Sequence, residues 1–111
     1  MINQNIKIIQ LTGILDGTQA DQLRNEVSQC LTTGARCVLI DFQDVTFMDS
    51  SGLAALITAV RLIHDQGKKL YLCSVNQQVK MLLELTSMDR IFRIFADQEE
   101  FLTQAKDEPS S

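Results

Sequence analysis

Residues 46–53 read TFMDSSGL, in which Asp49, Ser50, Ser51 and Gly52 stand between a β-favouring segment and an apolar helical run. A serine hydroxyl at a strand-to-helix junction can be a nucleophile when a histidine base and an acid accompany it. More often, a serine or aspartate at a helix start caps the first backbone N–H groups. The surrounding elements decide between these roles.

A hydrolytic role for Ser50 has little support in the sequence. The nucleophile elbow of hydrolases has a glycine two positions before the serine, and here that position is Met48. The only histidine, His64, lies about four turns further along the same predicted helix, where we expect it to be partly buried. A small hydrolase using Ser50 is therefore the alternative from a different functional class, and labelling by a serine-reactive probe would reveal it.

Two acidic residues follow predicted strands. Asp16, which precedes Gly17, can cap a helix or shape a turn, and Asp49 has the same option. Sites in α/β folds collect at the carboxyl ends of the strands, where both acids are expected. Two carboxylates near Ser50 would concentrate negative charge beyond what a helix cap requires.

Composition predicts one domain in the cytoplasm. The 111 residues are 45% hydrophobic, enough for a single core. The longest apolar stretch, residues 53–60, is far short of the roughly 20 residues that cross a bilayer. The first residues, MINQNIKIIQ, lack the pattern of a secretory signal.

Charge and cysteine usage argue against several functional classes. The formal net charge is −4, and the ten Lys and Arg are scattered, so we expect no direct nucleic-acid binding. The three cysteines (Cys30, Cys37 and Cys73) have no C-x-x-C spacing, which indicates buried, reduced thiols. No metal site and no cofactor are predicted.

Hydrophobic periodicity predicts strands alternating with helices. Residues 5–12 read as an edge strand ended by Gly13, followed by a loop, GILDGT, and residues 37–42 read as a central strand covered on both faces. Further strands are predicted in residues 68–75 and 90–95. Helices are predicted from Thr18 to Gly34, from about residue 50 to Gly67, over residues 76–88, and after Asp97. This order predicts an α/β fold with a mainly parallel sheet of four to five strands and four helices packed against it.

The second helix has an unusual outer face. We expect Leu53, Leu56, Ile57, Val60 and Ile63 to face the core, which leaves small and weakly apolar residues outside. A solvated helix normally has a charged outer face, so another element or a partner protein covers this one. The residues assigned to this docking face are Ala54, Ala55, Thr58, Ala59 and Leu62.

Three segments resemble the STAS-domain anti-sigma factor antagonists of bacteria. They are LTGILDG, VLIDFQDVTFMDSSGL and KLYLCSVNQQVKMLLELTSMDRIFRIF, and the resemblance covers roughly residues 4 to 105. The D-S-S-G-L element after a hydrophobic strand is its most specific part.

The resemblance implies a phosphorylation-controlled binding protein rather than an enzyme. In that family the unphosphorylated protein binds an anti-sigma factor serine kinase and frees a sigma factor, and a metal-dependent serine phosphatase resets the switch. Matched residue by residue, Ser50 is the phosphoacceptor, with Ser51, Gly52, Asp49 and Asp16 around it. Asp16 is also assigned to the partner-binding surface.

The resemblance also sets the expected organisation. We expect residues 1–105 to form one STAS domain, residues 106–111 to be a disordered tail, and the free protein to be a monomer that does not insert into membranes. STAS modules also serve in transport complexes, so a constitutive subunit of a membrane-associated complex is the alternative within the family.

Overall fold

The computed structural model describes residues 6–105, which form a parallel four-stranded sheet, four α-helices and two 3₁₀ turns. The 3₁₀ turns are Gly17–Gln19 and Met88–Arg90. In chain order the strands are β1 (Ile6–Leu15), β2 (Cys37–Met48), β3 (Lys69–Cys73) and β4 (Arg93–Phe95). The helices are α1 (Ala20–Thr32), α2 (Ser50–Asp65), α3 (Gln77–Leu85) and α4 (Gln98–Ala105). The α/β class and the helix number are confirmed, with four strands in the sheet.

The strand order within these residues is β1-β2-β3-β4, and every neighbouring pair is parallel. Right-handed crossovers that all advance in one direction place their helices on one face of the sheet. The main core lies there and combines helix residues such as Leu23, Leu56 and Val79 with sheet residues such as Ile40 and Leu72. This packing fixes the direction in which each helix starts from the sheet.

The opposite face of the sheet is covered by α4 alone among the described helices. Phe101 of α4 packs with Leu39, Tyr71, Cys73 and Phe95 in a second apolar cluster. The three aromatic rings have centroids 5.2 to 5.8 Å apart, in edge or tilted arrangements that suit ring quadrupoles. Because α4 is short, it leaves part of this face open.

Two strands are longer than predicted. β1 passes through Gly13, whose φ is +75°, so the predicted stop at Gly13 and the GILDGT loop are wrong. β2 runs to Met48 and pairs with β1 up to Leu15, with register shifts along the way. Pairing between these distant segments extends both strands, and local turn signals in the sequence do not reveal it. The extension brings the ends of β1 and β2 to Leu15 and Met48. Among the strands of residues 6–105, β1 lies at the edge of the sheet, as predicted.

Helix ends follow backbone chemistry. The predicted start of the first helix at Thr18 is wrong, because α1 begins at Ala20 after Gln19, which makes no side-chain cap hydrogen bond. The predicted stops at Gly34 and Gly67 are confirmed, each with a positive φ. At the end of α2, Gly67 N–H donates to the His64 carbonyl (2.9 Å) and Lys68 N–H donates to the Ile63 carbonyl (3.0 Å), as in a Schellman motif.

The cysteines are free thiols at different depths. Cys30 and Cys73 are buried, as predicted, whereas Cys37 at the start of β2 is only partly buried. Burial, with a further contribution from the charge of Asp41, raises the pKa of the Cys73 thiol to about 11. Cys73 is therefore a protonated core side chain at neutral pH. In residues 6–105, no helix is long and apolar enough to span a bilayer.

Asp41 is a buried acid that ties α4 to the sheet. Its side chain is 1% exposed and accepts hydrogen bonds from Gln98 Nε2 (2.6 Å) and from the Gln43 backbone N–H (2.9 Å). Gln98 is the first residue of α4. The two bonds satisfy the buried carboxylate and hold the start of α4 beside β2.

Replacing Asp41 by alanine should lower the free energy of unfolding by about 1–3 kcal/mol, because the Gln98 side chain and the Gln43 backbone N–H lose their acceptor in a partly buried site. Urea unfolding followed by circular dichroism measures the change. The matched control is Asp44→Ala, which removes an exposed carboxylate bonded to Gln10 and should stay within about 0.5 kcal/mol of the parent. Equal effects of the two changes would contradict this role for Asp41.

Candidate functional site

The site is built where β1 and β2 end together. Leu15 and Met48 are register partners, and the Asp49 backbone N–H donates to the Leu15 carbonyl at 3.2 Å. Because parallel strands bring their carboxyl ends to one edge, the segments that follow β1 and β2 are neighbours. Asp16 and Asp49 are the first residues after these two strands, in agreement with the predicted edge location.

Asp49, rather than either serine, caps α2. Its Oδ1 accepts a hydrogen bond from the Gly52 N–H at 2.9 Å, and its backbone carbonyl accepts the first helical bond from Leu53 N–H at 2.9 Å. Ser50 and Ser51 occupy the first two helical positions, and both are exposed. The hydroxyls are therefore accessible to a modifying enzyme.

Gly52 allows the helix start to approach β1 closely. A Cβ at Gly52 would lie 2.1 Å from the Leu15 carbonyl oxygen and 2.7 Å from the Leu15 carbonyl carbon. No side chain fits there without moving the backbone. Gly17 sits less tightly, since its Cβ would be 3.6 Å from Ser51 Cβ, an ordinary contact.

Asp16 shapes the 3₁₀ turn beside the start of α2. Its Oδ1 accepts hydrogen bonds from the Thr18 hydroxyl (2.5 Å) and from the Thr18 N–H (2.9 Å). These bonds lower the pKa of the Asp16 carboxyl below 3.8, so the group is charged at neutral pH. Their contribution to stability is present above pH 3.8 and declines as the pH falls below it. Because Gly17 borders Ser51, this turn adds negative charge beside the serine pair.

Two amide side chains that sequence reasoning missed hold the end of β2. Gln78 accepts from the Met48 N–H at 2.9 Å and donates to the Met48 carbonyl at 2.8 Å. Asn76 caps α3 and donates to the carbonyls of Val45 (3.1 Å) and Thr46 (3.3 Å). The cap pattern at Asn76 was a usable signal, but nothing local indicated the contact of Gln78 with β2, about 30 residues away in sequence.

The outer face of α2 is narrower than predicted. Ala54 and Thr58 are exposed, and the Thr58 hydroxyl donates to the Ala54 carbonyl at 3.1 Å. Ala59 is only 2% exposed, so its assignment to the outer face is wrong. Its spacing of three from Leu56 and four from Ile63 places it on the core-facing stripe. Ala55 and Leu62 are partly buried and pack against the main core.

The other candidates lie elsewhere. His64 is exposed in the last turn of α2, so the expected partial burial is wrong. By helical rise it is about 21 Å from Ser50 along the axis. Within the described chain, no three His, Cys, Asp or Glu side chains come together as a potential metal site.

Comparisons with known proteins agree with this architecture. The sequence matches the STAS domain family over residues 1–101. A curated relative, the anti-sigma F factor antagonist of Paenibacillus polymyxa, is 27% identical over 104 residues, which cover 92% of this chain and 88% of the relative.

Solved structures show the same fold. The anti-sigma factor antagonist SpoIIAA in its unphosphorylated form superposes with a TM-score of 0.72 at 21% identity, covering 97% of this chain and 96% of that one. A sulfate transporter family protein from Wolinella succinogenes superposes with a TM-score of 0.85 at 18% identity, covering 96% and 88%. The parallel sheet, the helix order and the family match define a STAS domain. The chain belongs to the STAS domain family.

Gly52→Ala should destabilise the protein by about 1–3 kcal/mol or more, because the new methyl group overlaps a backbone carbonyl that cannot rotate away. Gly17→Ala is the matched control and should fold like the parent protein. Thermal unfolding of both variants, followed by circular dichroism, measures the difference. A Gly52→Ala protein as stable as Gly17→Ala would contradict the close approach of α2 to β1.

Proposed function

We propose that this protein is an anti-sigma factor antagonist that acts as a phosphorylation-controlled partner switch. The observation that carries the proposal is the exposed Ser50 hydroxyl in the first turn of α2, directly after the capping Asp49. The unphosphorylated protein binds an anti-sigma factor serine kinase and releases a sigma factor. Phosphorylation of Ser50 abolishes that binding, and a metal-dependent serine phosphatase restores it.

The names of the relatives support this role. The Paenibacillus polymyxa protein is an anti-sigma F factor antagonist, and a 22% identical Staphylococcus aureus relative is an anti-sigma-B factor antagonist. SpoIIAA has been solved in unphosphorylated and phosphorylated forms, and both superpose on this chain with a TM-score of 0.72. A phosphate is thus compatible with the fold in that protein.

The local electrostatics explain how a phosphate would act at Ser50. A helix N-terminus tolerates negative charge, since its N–H groups and dipole favour anions. However, the Gly52 N–H already donates its hydrogen bond to the Asp49 carboxylate. A phosphate adds about −1.5 to −2 charge beside this carboxylate and near the turn of Asp16. We expect the fold to persist while the surface becomes strongly negative.

The strength of such a switch follows from desolvation. A partner that buries this surface must remove water from the phosphate and both carboxylates, and unfavourable charge contacts in an interface cost several kcal/mol. Since 1.4 kcal/mol is tenfold in affinity, one phosphate is enough to turn off binding. No catalysis by this protein is required.

The docking surface combines the serine turn with the exposed part of α2. Ala54 and Thr58 follow Ser50 and Ser51 along the exposed side of the helix, and Ala55 and Leu62 contribute their accessible portions. We assign Asp16, Asp49 and Gly52 to the environment of the phosphosite. Residues 1–105 act as one such module in this proposal.

The likeness to a sulfate transporter family protein supports a second candidate. In that case the chain is a constitutive STAS subunit of a membrane-associated complex, and Ser50 is not a switch. Affinity capture from the native cell separates the two roles. Recovery of a kinase-type anti-sigma factor supports the switch, whereas recovery of transport components without it supports the constitutive subunit.

Ser50→Ala should fold and bind the captured kinase, but it should not be phosphorylated, because it has no hydroxyl at position 50. Because Asp49 provides the cap, removing the Ser50 hydroxyl should change stability by no more than about 0.5 kcal/mol. Ser50→Asp should fold but bind at least about tenfold more weakly, since it places a permanent charge beside Asp49. Calorimetric titration of both variants and of the phosphorylated protein measures the affinities.

Ser51→Ala and Ser51→Asp are the matched controls one residue along the same turn. Mass spectrometry after kinase treatment should find the phosphate on Ser50 in the parent and in Ser51→Ala. Equal affinities for the parent, Ser50→Asp and phosphorylated proteins would show that charge at this position does not control binding.

Ala54→Glu should weaken kinase binding about tenfold or more without changing the unfolding temperature, because Ala54 is exposed beside the switch. Gln66→Glu adds the same charge at the far, exposed end of α2 and should bind normally. Ala59→Glu, in contrast, should unfold the protein, since it buries a charge in the core. Normal kinase binding by a folded Ala54→Glu protein would remove the α2 face from the interface.

A further inference from the structure

β1 presents an open edge that is unusually long and apolar. Within residues 6–105, β2 is the only strand that pairs with it, so no described strand lies along the other side of its ten residues. Exposed edges of this kind are templates for pairing with another strand. Both register shifts between β1 and β2 skip residues on β2, so β1 itself carries no inserted residue.

Side chains on one face of β1 and β2 are exposed although they are large and apolar. Ile8, Ile14 and Phe47 are 38%, 51% and 45% exposed. Ile8 is the register partner of Leu39, which lies in the cluster under α4, and Ile14 is the register partner of Phe47. These three residues therefore lie on the face of the sheet that α4 leaves partly open.

The order of residues along β1 is complementary to itself. In an antiparallel pair of two β1 strands related by a two-fold axis at Leu11, Ile8 stands opposite Ile14 of the second copy, and Gln10 stands opposite Thr12. A shift of one residue would place side chains from opposite faces of the sheet opposite each other. A shift of two or more residues that keeps the faces matched would no longer place Ile8 opposite Ile14.

In this register, side chains that fit one another are opposed on both faces of the sheet. On the open face it forms two continuous apolar rows, each running from Leu39 and Ile8 of one copy to Ile14 and Phe47 of the second copy. Gly13, which has no side chain, lies opposite Ile9.

We propose that the protein forms a two-fold symmetric dimer in which β1 pairs antiparallel with β1 of a second copy, giving an eight-stranded sheet. A second copy is the occupant because the exposed apolar residues Ile8 and Ile14 of β1 oppose one another in a single two-fold register, as an isologous interface requires. This replaces the expectation of a monomer. It does not depend on phosphorylation or on a kinase partner.

The test is sedimentation equilibrium of the full chain from low micromolar to several hundred micromolar concentration. We expect a monomer–dimer equilibrium for the parent protein. For Ile14→Lys, the dissociation constant of the dimer should be at least about tenfold larger. The matched control is Leu85→Lys, since Leu85 is the most exposed large apolar residue among residues 6–105 (78%) and lies on α3. Circular dichroism verifies that both variants fold.

Cysteine cross-linking tests the register. Opposed side chains in an antiparallel pair have Cβ atoms about 4.5–5.5 Å apart. Mild oxidation of a mixture of Gln10→Cys and Thr12→Cys chains should give more disulfide-linked dimer than either variant alone. A monomeric parent protein at all concentrations, a dimer that survives Ile14→Lys, equal weakening by Leu85→Lys, or no excess of mixed cross-link would each overturn the proposal.

Discussion

The bond between the Asp49 N–H and the Leu15 carbonyl is the constraint on which the site depends. It joins the end of β1 to the first residue after β2, and at position 52 the close approach leaves no room beside Leu15 for a side chain. Gly52 meets that requirement, and its N–H in turn donates a hydrogen bond to the Asp49 carboxylate. One close backbone approach thereby sets the position of the cap, the direction of α2 and the exposure of both serines.

The same arrangement leaves the N-terminus of α2 structurally independent of the Ser50 hydroxyl. Asp49 caps the helix and Gly52 packs against β1, so neither task is left to Ser50. Gln78 and Asn76 hold the end of β2 from the side of α3. A charge added at Ser50 would therefore change the surface of a turn whose backbone is fixed by other residues, which is what a reversible binding switch requires.

The two faces of the sheet are covered unequally, and topology is the reason. Three crossovers of one hand place α1, α2 and α3 on a single face, so the second face depends on α4. That helix covers β2 to β4 around Phe101 and is tied down through Gln98 and the buried Asp41. The exposed isoleucines of β1 and Phe47 of β2 lie where this cover ends.

The sequence by itself determined the α/β class, the order of strands and helices, the edge position of β1 among the described strands and the glycine stops of α1 and α2, because periodicity and backbone preferences are local. It also marked Asp49 to Gly52 and Asp16 as residues that follow strands. Only the tertiary structure decided that β1 and β2 extend to Leu15 and Met48, because their length depends on pairing between distant segments. It likewise showed that Asp49 provides the cap and that Gln78 holds Met48. The burial of Ala59 follows from how α2 packs on its neighbours, because the breadth of a buried helix stripe is set by what covers it.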